Sequence, residues 1–192
     1  DGGSPQFVQD HGRSVLVKDD GDFFISGRGY RYAHETFFSL MRISNEGVRE
    51  VNYRFDFGSS NGSEEFVHSS ILLPDGKILL VGESDGQFTI SRHLSSGDLD
   101  TSFAANGRFK APFLSGSAQS YRVQLAADGK ILVIGHANNG NDINLIVLRL
   151  SYDGTLDSTF DSDGVRHVPF SSNDDFGYSI LSQPDGKIVI GG

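Results

Sequence analysis

A serine in a short stretch bounded by glycines is the first feature of this sequence that could do chemistry. Gly82–Gly86 fits the pattern G-x-S-x-G, in which a sharp turn from strand to helix exposes a nucleophilic serine. Here the flanking residues read as strands, no helix follows, and the related stretch 135–140 lacks a serine. We therefore interpret Ser84 as part of a polar hairpin loop and predict no catalytic residue.

Three closely spaced aspartates, Asp157, Asp161 and Asp163, could instead bind calcium, which prefers carboxylate oxygens. In an EF-hand register, however, Thr159 and Phe170 would stand at the two ends of the loop, where carboxylate ligands are needed. Aspartate near glycine also stabilises turns, because its side chain bonds the turn backbone. We expect turn roles and no cofactor, and calcium bound by the three aspartates is the alternative.

A segment between two predicted strands, Arg28–Glu35, contains two tyrosines, two arginines and a histidine. Aromatic residues beside arginine are enriched in recognition surfaces. We predict that this segment forms a ligand-binding loop for a protein or a carbohydrate. The predicted contact residues are Tyr30, Arg31, Tyr32 and His34.

The elements that position these residues follow from an internal repeat. Asp-Gly pairs end at Gly21, Gly76, Gly129 and Gly186, with spacings of 55, 53 and 57 residues. A short apolar run, such as Lys77–Gly82, follows each pair. Asp-Gly is a strong signal for a tight β-hairpin turn, because glycine adopts the positive φ that such turns need. Each repeat is therefore predicted to contain a hairpin whose second strand is the apolar run.

Further strands are predicted on both sides of each apolar run, which gives about four strands per repeat. The strands before the turn are Ser69–Leu73, Tyr121–Leu125 and Tyr178–Ser182, those after the run are Phe37–Ile43, Phe88–Leu94 and Asn144–Leu150, and the fourth strands contain Arg108–Phe113 and Val165–Phe170. No segment shows a sustained apolar period of 3.6 residues, so no helix is predicted.

Four-stranded units that repeat at this spacing most often stack radially as the blades of a β-propeller. We predict an all-β fold, a β-propeller-type array of four-stranded antiparallel blades with about three and a half repeats. The single segment 1–192 divides into the end of a preceding blade (1–19), three repeats (20–74, 75–127 and 128–184) and a partial repeat (185–192). The ring would be completed by the remainder of a longer chain or by association, for example as a homodimer.

An arginine recurs once in each repeat, five residues before a glycine. These arginines are Arg42, Arg92 and Arg149. Recurrence in every copy favours an architectural role, in which the arginine bonds carbonyl groups or pairs with the following Asp100 or Asp157. The repeated aromatic residues Tyr53, Phe103 and Phe160 are interpreted as packing between blades.

The six histidines follow no such rule. They occupy non-equivalent positions of the repeat and have no close metal-ligand spacing. We interpret them as scattered surface or half-buried residues.

Charge and composition exclude several classes of function. Acidic residues outnumber basic ones by 25 to 16, a net charge of −9, which opposes binding to nucleic acid because that affinity comes from clustered lysine and arginine. The chain has no cysteine and therefore neither disulfides nor thiolate chemistry. Its apolar runs are too short to span a bilayer. We expect no nucleic-acid partner and no membrane insertion.

The repeats also resemble a known family. Gln183–Gly192 (QPDGKIVIGG) and Leu148–Phe160 (LRLSYDGTLDSTF) are similar to the signature of the bacterial delta-60 repeat. The similarity extends over residues 66–192 and is looser over 14–65, where Asp22 replaces the lysine. The resemblance implies predicted β-propeller arrays in large secreted or cell-surface proteins of bacteria, and it supplies no catalytic residues.

We therefore predict a non-catalytic β-propeller scaffold or binding module of a secreted or cell-surface bacterial protein, with protein or carbohydrate contacts. The alternative is a metal-dependent hydrolase or lyase whose ligands converge on the central channel from several blades. The strand expected to line that channel, Lys77–Gly82, is nearly all aliphatic, which favours the non-catalytic function.

Overall fold

A computed structural model of the chain describes residues 10–31, 35–57, 64–111, 117–138, 140–170 and 173–192. These residues form fourteen β-strands, and none of them lies in a helix. Accordingly, no helix that could cross a membrane occurs in this part of the chain. The all-β prediction is confirmed for the described residues.

The strands form three four-stranded antiparallel sheets and one two-stranded sheet, each in sequential order. The first sheet contains β1 (Asp10–Val17), β2 (Phe23–Arg31), β3 (Glu35–Ile43) and β4 (Arg49–Phe55). The second contains β5 (Glu65–Leu72), β6 (Ile78–Ser84), β7 (Gln87–His93) and β8 (Arg108–Lys110). The third contains β9 (Ala118–Leu125), β10 (Ile131–Asn138), β11 (Ile143–Leu150) and β12 (Val165–Val168). The two-stranded sheet pairs β13 (Ser179–Ser182) with β14 (Ile188–Gly191).

The Asp-Gly hairpins predicted from the sequence are present in all four sheets. In the second sheet, the N–H of Gly76 donates to the carbonyl of Leu73 at 2.9 Å, and Gly76 has a φ of 80°. The Asp75 carboxylate accepts the N–H of Lys77 at 3.1 Å. The other three Asp-Gly turns have glycine φ values between 79° and 87°. In each sheet, the turn between the first two strands therefore sets the register in which they pair.

Each sheet begins with the strand that precedes its Asp-Gly turn, so the sheets do not coincide with repeats counted from that turn. The segment 1–19, predicted as the end of a preceding blade, contributes β1 to the first sheet, where Val15 pairs with Ile25. In the same way, β5 and β9 open the second and third sheets. Three sheets of four strands and one of two are the observed units.

Apolar side chains fill the space between successive sheets. Phe38, Leu40 and Ile78 pack together between the first and second sheets, and Phe88 and Val133 pack between the second and third. Burying a side chain of this kind contributes about 1.5–3 kcal/mol. Neighbouring sheets therefore stabilise one another, since a four-stranded sheet cannot bury both of its faces alone.

The recurring arginine forms the ion pair predicted from the sequence. In the second sheet, Arg92 Nε lies 2.7 Å from Asp100 Oδ2, and in the third, Arg149 Nε lies 2.8 Å from Asp157 Oδ2. Arg92 Nη1 also donates to the carbonyl of Tyr152 at 2.5 Å, which joins the second sheet to the third. The predicted pairing with Asp100 and Asp157, and the bond to a carbonyl, are both confirmed.

Two of the recurring aromatic residues pack between sheets, as predicted. The Tyr53 ring lies so close to Gly97 that a Cβ there would overlap it. A Cβ at Gly154 would lie 2.7 Å from the Phe103 ring. Both glycines follow the third strand of the next sheet. The aromatic residue of one sheet therefore packs against a turn of the neighbouring sheet.

Successive sheets also meet through their first strands, along what we call the inner edge. β1 contacts β5, β5 contacts β9, and β9 contacts β13. The strand expected to line a channel, Lys77–Gly82, instead lies inside its sheet as β6, between β5 and β7. The side chains at the inner edge therefore come mainly from the first strands.

Candidate functional site

The first strand of each four-stranded sheet has a β-bulge, where one extra residue is inserted. The extra residues are Arg13 in β1, His68 in β5 and Tyr121 in β9. A glycine of the second strand lies beside each bulge; these are Gly27, Gly82 and Gly135. Bulges change the direction of side chains and are frequent beside functional sites.

Aromatic and cationic side chains form a continuous row along the inner edge, which we call the inner row. They come from the three four-stranded sheets and from the segment just before β13. The members of the row are His11, Arg28, Tyr30, Phe66, His68, Tyr121, His136, Phe176 and Tyr178. Most of these side chains are half-buried. They are thus held in place by neighbours while part of each ring stays accessible.

The first half of the inner row is centred on an arginine. The Arg28 guanidinium carbon lies 4.4 Å from the centroid of the Tyr30 ring and 4.3 Å from that of Phe66. At the end of the row, His11 packs edge-on against Tyr30 at 5.6 Å between centroids. Both contacts of Arg28 are within the range of cation–π attraction, so the arginine links the first sheet to the second.

The second half of the inner row is centred on Tyr121. The His68 ring lies 4.9 Å from the Tyr121 ring, and the His136 ring lies 5.3 Å from it. Tyr178 packs edge-on against Tyr121 at 5.2 Å, and Phe176 against His136 at 4.8 Å. The second and third sheets and the segment just before β13 therefore contribute rings to one cluster.

Both histidines of this cluster have a buried ring nitrogen without a hydrogen-bond partner among the described residues. These atoms are Nε2 of His68 and Nδ1 of His136. Burial, followed by the positive charge of Arg13, lowers the pKa of His68 to about 4. Burial also lowers the pKa of His136. Both rings are therefore expected to be neutral at neutral pH.

A buried carboxyl group, Glu83, lies beside the row. Burial raises the pKa of Glu83 to about 7, against the opposing effect of a hydrogen bond with Gln119. The hydroxyl of Tyr121 donates to Oε1 of Gln119 at 2.5 Å, which connects the carboxyl group to the inner row. Glu83 follows the bulge glycine of its sheet, as Arg28 and His136 do in theirs.

Replacing Glu83 by glutamine (E83Q) is expected to stabilise the protein at alkaline pH. Between a pH of about 4.5 and 7 the folded wild type holds a proton that the unfolded chain releases, so wild-type stability falls as the pH rises through this range. E83Q should raise the free energy of unfolding by about 2–3 kcal/mol near pH 8.5 and change it little near pH 4. Urea unfolding at both pH values measures the difference. Glu46→Gln, on an exposed turn, is the control, and an equal gain at both pH values would contradict the assignment.

One of the contact residues predicted from the sequence, Tyr30, lies in the inner row. Arg31 is the last residue of β2, while Tyr32 and His34 lie outside the described residues. The segment predicted as a loop is largely strand, because β2 continues to Arg31, which pairs with Glu35 of β3. The side chain of Tyr30 is therefore oriented by a sheet and not by a loop.

The three aspartates considered for calcium each have a separate partner. Asp157 pairs with Arg149 at 2.8 Å, and Asp161 pairs with Arg166 at 2.9 Å. The carboxylate of Asp163 accepts the backbone N–H two residues later at 2.8 Å. Over the described ranges, no group of three His, Cys, Asp or Glu side chains is placed to hold a metal ion.

The serine of the glycine-bounded stretch is buried. Ser84 is the last residue of β6, and its Oγ donates to Oε1 of Glu65 at 3.0 Å. The hairpin turn that was predicted there is formed by Asp85 and Gly86, which have positive φ. Ser84 is therefore a buried hydrogen-bond donor to Glu65, at the end of a strand.

The inner row was not predicted from the sequence, because its members differ in residue type from one repeat to the next. Gly27, Gly82, Gly135 and Gly192 each face a backbone carbonyl sixteen residues earlier in the chain. The residues that carry these carbonyls are His11, Phe66, Gln119 and Phe176. The residues two places further on are Arg13, His68, Tyr121 and Tyr178. Aligning the repeats on the glycine after each apolar run would have shown that both positions carry aromatic or cationic side chains in most copies.

Comparison with known families gives a match to part of the chain. A family model described as a β-propeller domain of unknown function (DUF5122) matches residues 73–103 and 126–160. Both segments begin shortly before an Asp-Gly turn and end at the recurring aromatic residue, Phe103 or Phe160. No curated protein matches the chain. The two matches and the four-stranded sheets together support a β-propeller repeat family, to which no activity is attached.

Proposed function

We propose that this chain is a non-catalytic β-propeller scaffold and binding module, and that its inner row contacts a protein or a carbohydrate ligand. The observation that carries the proposal is the continuity of the row. Aromatic side chains with polar tips are enriched in recognition surfaces, and here they pass from sheet to sheet without interruption.

The contrast between recurring and varying positions supports this proposal. The arginine–aspartate pair recurs in the second and third sheets, as expected of residues that serve the fold. The bulge positions instead hold Arg13, His68 and Tyr121 in successive sheets. Since a bulge does not dictate the side chain that it carries, these differences are free to serve a ligand.

The resemblance of Gln183–Gly192 to the delta-60 repeat supports a place in a secreted or cell-surface bacterial protein. A scaffold role fits the observed packing, because each sheet buries apolar side chains against the next. Scaffold and binding module are compatible, as the inner row occupies only one edge of the sheets.

The alternative, a metal-dependent hydrolase or lyase, requires ligands that converge on one ion. In the described part of the inner row, His68 and His136 both pack against Tyr121. No third His, Asp or Glu among the described residues completes a set with them. We therefore favour the non-catalytic function.

Binding to oligosaccharide and peptide arrays tests the proposal. The labelled wild-type chain is expected to bind members of one array, and Tyr121→Ala should weaken that binding by about tenfold or more, the effect of losing one central aromatic anchor. The matched control is Phe170→Ala, which removes an aromatic ring that is 68% exposed and lies outside the inner row. The proposal fails if neither array is bound, or if the two variants bind equally well.

A further inference from the structure

Arg28 is a half-buried arginine that packs between two aromatic rings of the inner row. Its guanidinium group stacks on Tyr30 and Phe66 at 4.4 and 4.3 Å. In the part of the chain that the structure describes, Arg28 makes no hydrogen bond or ion pair with a carboxylate. Arg92 and the more exposed Arg166, by contrast, pair with aspartates at 2.7 and 2.9 Å. The N–H edge of Arg28 is therefore available to a ligand.

A second arginine acts on the same end of the inner row. Burial lowers the pKa of Arg28, the carboxylate of Glu64 acts to raise it, and the charge of Arg13 lowers it further. Arg13 is exposed, and its charge also acts on the half-buried His68. The two arginines thus repel each other, while the carboxylate of Glu64 acts on Arg28 more strongly in the opposite direction. A bound anion would relieve this repulsion.

The geometry around Arg28 favours a carboxylate attached to a flat, partly apolar molecule. An arginine stacked on rings keeps its planar edge for two parallel hydrogen bonds to a carboxylate. Further along the row, Tyr178 packs edge-on against Tyr121 and is 53% exposed, so it offers a ring together with a hydroxyl group. A pyranose ring matches such a surface, because it has a face of C–H groups and a rim of hydroxyl groups.

We propose that the inner row binds an acidic polysaccharide of the uronate class, with a sugar carboxylate at Arg28 and Arg13 and neighbouring sugar rings on the aromatic side chains. This inference rests on the proposed binding function and specifies its ligand. An acidic peptide is the competing class. It would need a line of cations, whereas beyond Arg28 the row continues with Phe66, the neutral His68 and Tyr121.

Calorimetric titration of the whole chain tests the proposal with three probes of similar length. The probes are oligomers of galacturonate or mannuronate, the methyl ester of the same oligomers, and oligoglutamate. The uronate oligomers are expected to bind at least about tenfold more tightly than their neutral esters, because the ester cannot accept charge-assisted bonds from arginine. Their affinity should fall with added salt.

Three variants test whether the uronate oligomers bind at Arg28 in the inner row. Arg28→Ala should weaken uronate binding by about tenfold and leave the binding of the ester nearly unchanged. Arg28→Lys keeps the charge but loses the planar edge, so it should recover only part of the affinity. Arg166→Ala removes an exposed arginine that is paired with Asp161 and should have no effect.

Each outcome decides between the two proposals. Equal affinity for acid and ester, with loss of both in Tyr121→Ala, would overturn the uronate specificity and leave the binding function standing. Oligoglutamate binding as tightly as uronate would replace the saccharide by an acidic peptide. Failure of the uronates to bind while another array member binds would refute this inference alone, and failure of every array member would refute the binding function itself.

Discussion

Replacing Arg92 by alanine (R92A) is expected to lower the free energy of unfolding by about 3–5 kcal/mol, because the buried Asp100 loses the closer of its two salt-bridge partners and a bond between sheets is lost. The side chains of Arg92 and Asp100 are 4% and 6% exposed. Without Arg92, Lys77 at 3.1 Å would be the remaining salt-bridge partner of Asp100. Burial acts to raise the pKa of Asp100, but hydrogen bonds from Ser102, Lys77 and Arg92 hold it well below its usual value.

Arg92 also joins two sheets, which adds to the expected loss. Its Nη1 donates to the carbonyl of Tyr152, in a turn of the third sheet, at 2.5 Å. Its guanidinium carbon lies 4.8 Å from the centroid of the Phe103 ring, which packs against Gly154 of the same turn. R92A should therefore loosen the contact between the second and third sheets as well as the ion pair.

Arg149 provides the matched control for R92A. It makes the same Nε bond to an aspartate, Asp157, at 2.8 Å, but its side chain is 23% exposed and it makes no bond to another sheet within the described ranges. Arg149→Ala should cost about 1–2 kcal/mol. Urea unfolding followed by circular dichroism measures both variants. Equal losses would show that burial and the bond to Tyr152 do not matter.

Replacing Gly82 by alanine (G82A) is expected to destabilise the protein by about 3 kcal/mol or more, because backbone atoms would have to move to make room for the methyl group. A Cβ at this position would overlap the carbonyl oxygen of Phe66 and lie 3.0 Å from the Cα of Val67. These backbone atoms flank the bulge at His68. G82A should therefore also displace the inner row, which a change in the NMR signals of the Tyr121 ring would show.

Gly129→Ala separates this steric effect from backbone strain. Gly129 has a φ of 79°, with no atom within 4 Å of the position that a Cβ would take. Its replacement should cost about 1–2 kcal/mol, the penalty of a left-handed conformation for a residue with a side chain. The role assigned to the bulge glycine is wrong if G82A is no more destabilised than Gly129→Ala, or if it leaves the Tyr121 signals unchanged.

Much of the fold could be predicted from the sequence, because its determinants are local. The Asp75–Gly76 turn needs only the positive φ of glycine, and the apolar run that follows is buried throughout as β6. The pairing of Arg92 with Asp100 was predictable for a related reason, since both residues recur in register with the turns. The prediction that Lys77–Gly82 lies next to a central channel was wrong. This run lies in the middle of its sheet, and the first strands meet at the inner edge. An aliphatic strand buried on both faces can lie in the middle of a sheet as well as next to a central axis.

The candidate site could be predicted only in part. Tyr30 attracted attention because it stands beside arginines in sequence, and it lies in the inner row. His68, Tyr121 and His136 gave no such signal, because they come from two sheets and meet only when those sheets stack. The bulge that orients His68 and Tyr121 is a shift of one residue in register, which changes the face on which a side chain lies.

The strands, their hairpins and the ion pair that recurs with them follow from the sequence alone, because each depends on turn chemistry and on residues at fixed spacing. Which side chains lie together at the inner edge, and how their pKa values shift there, depends on the tertiary structure. The stacking of Arg28 on Phe66 and the raised pKa of Glu83 arise from the packing of one sheet against the next. Desolvation and stacking depend on neighbours in space, and no spacing along the chain records them.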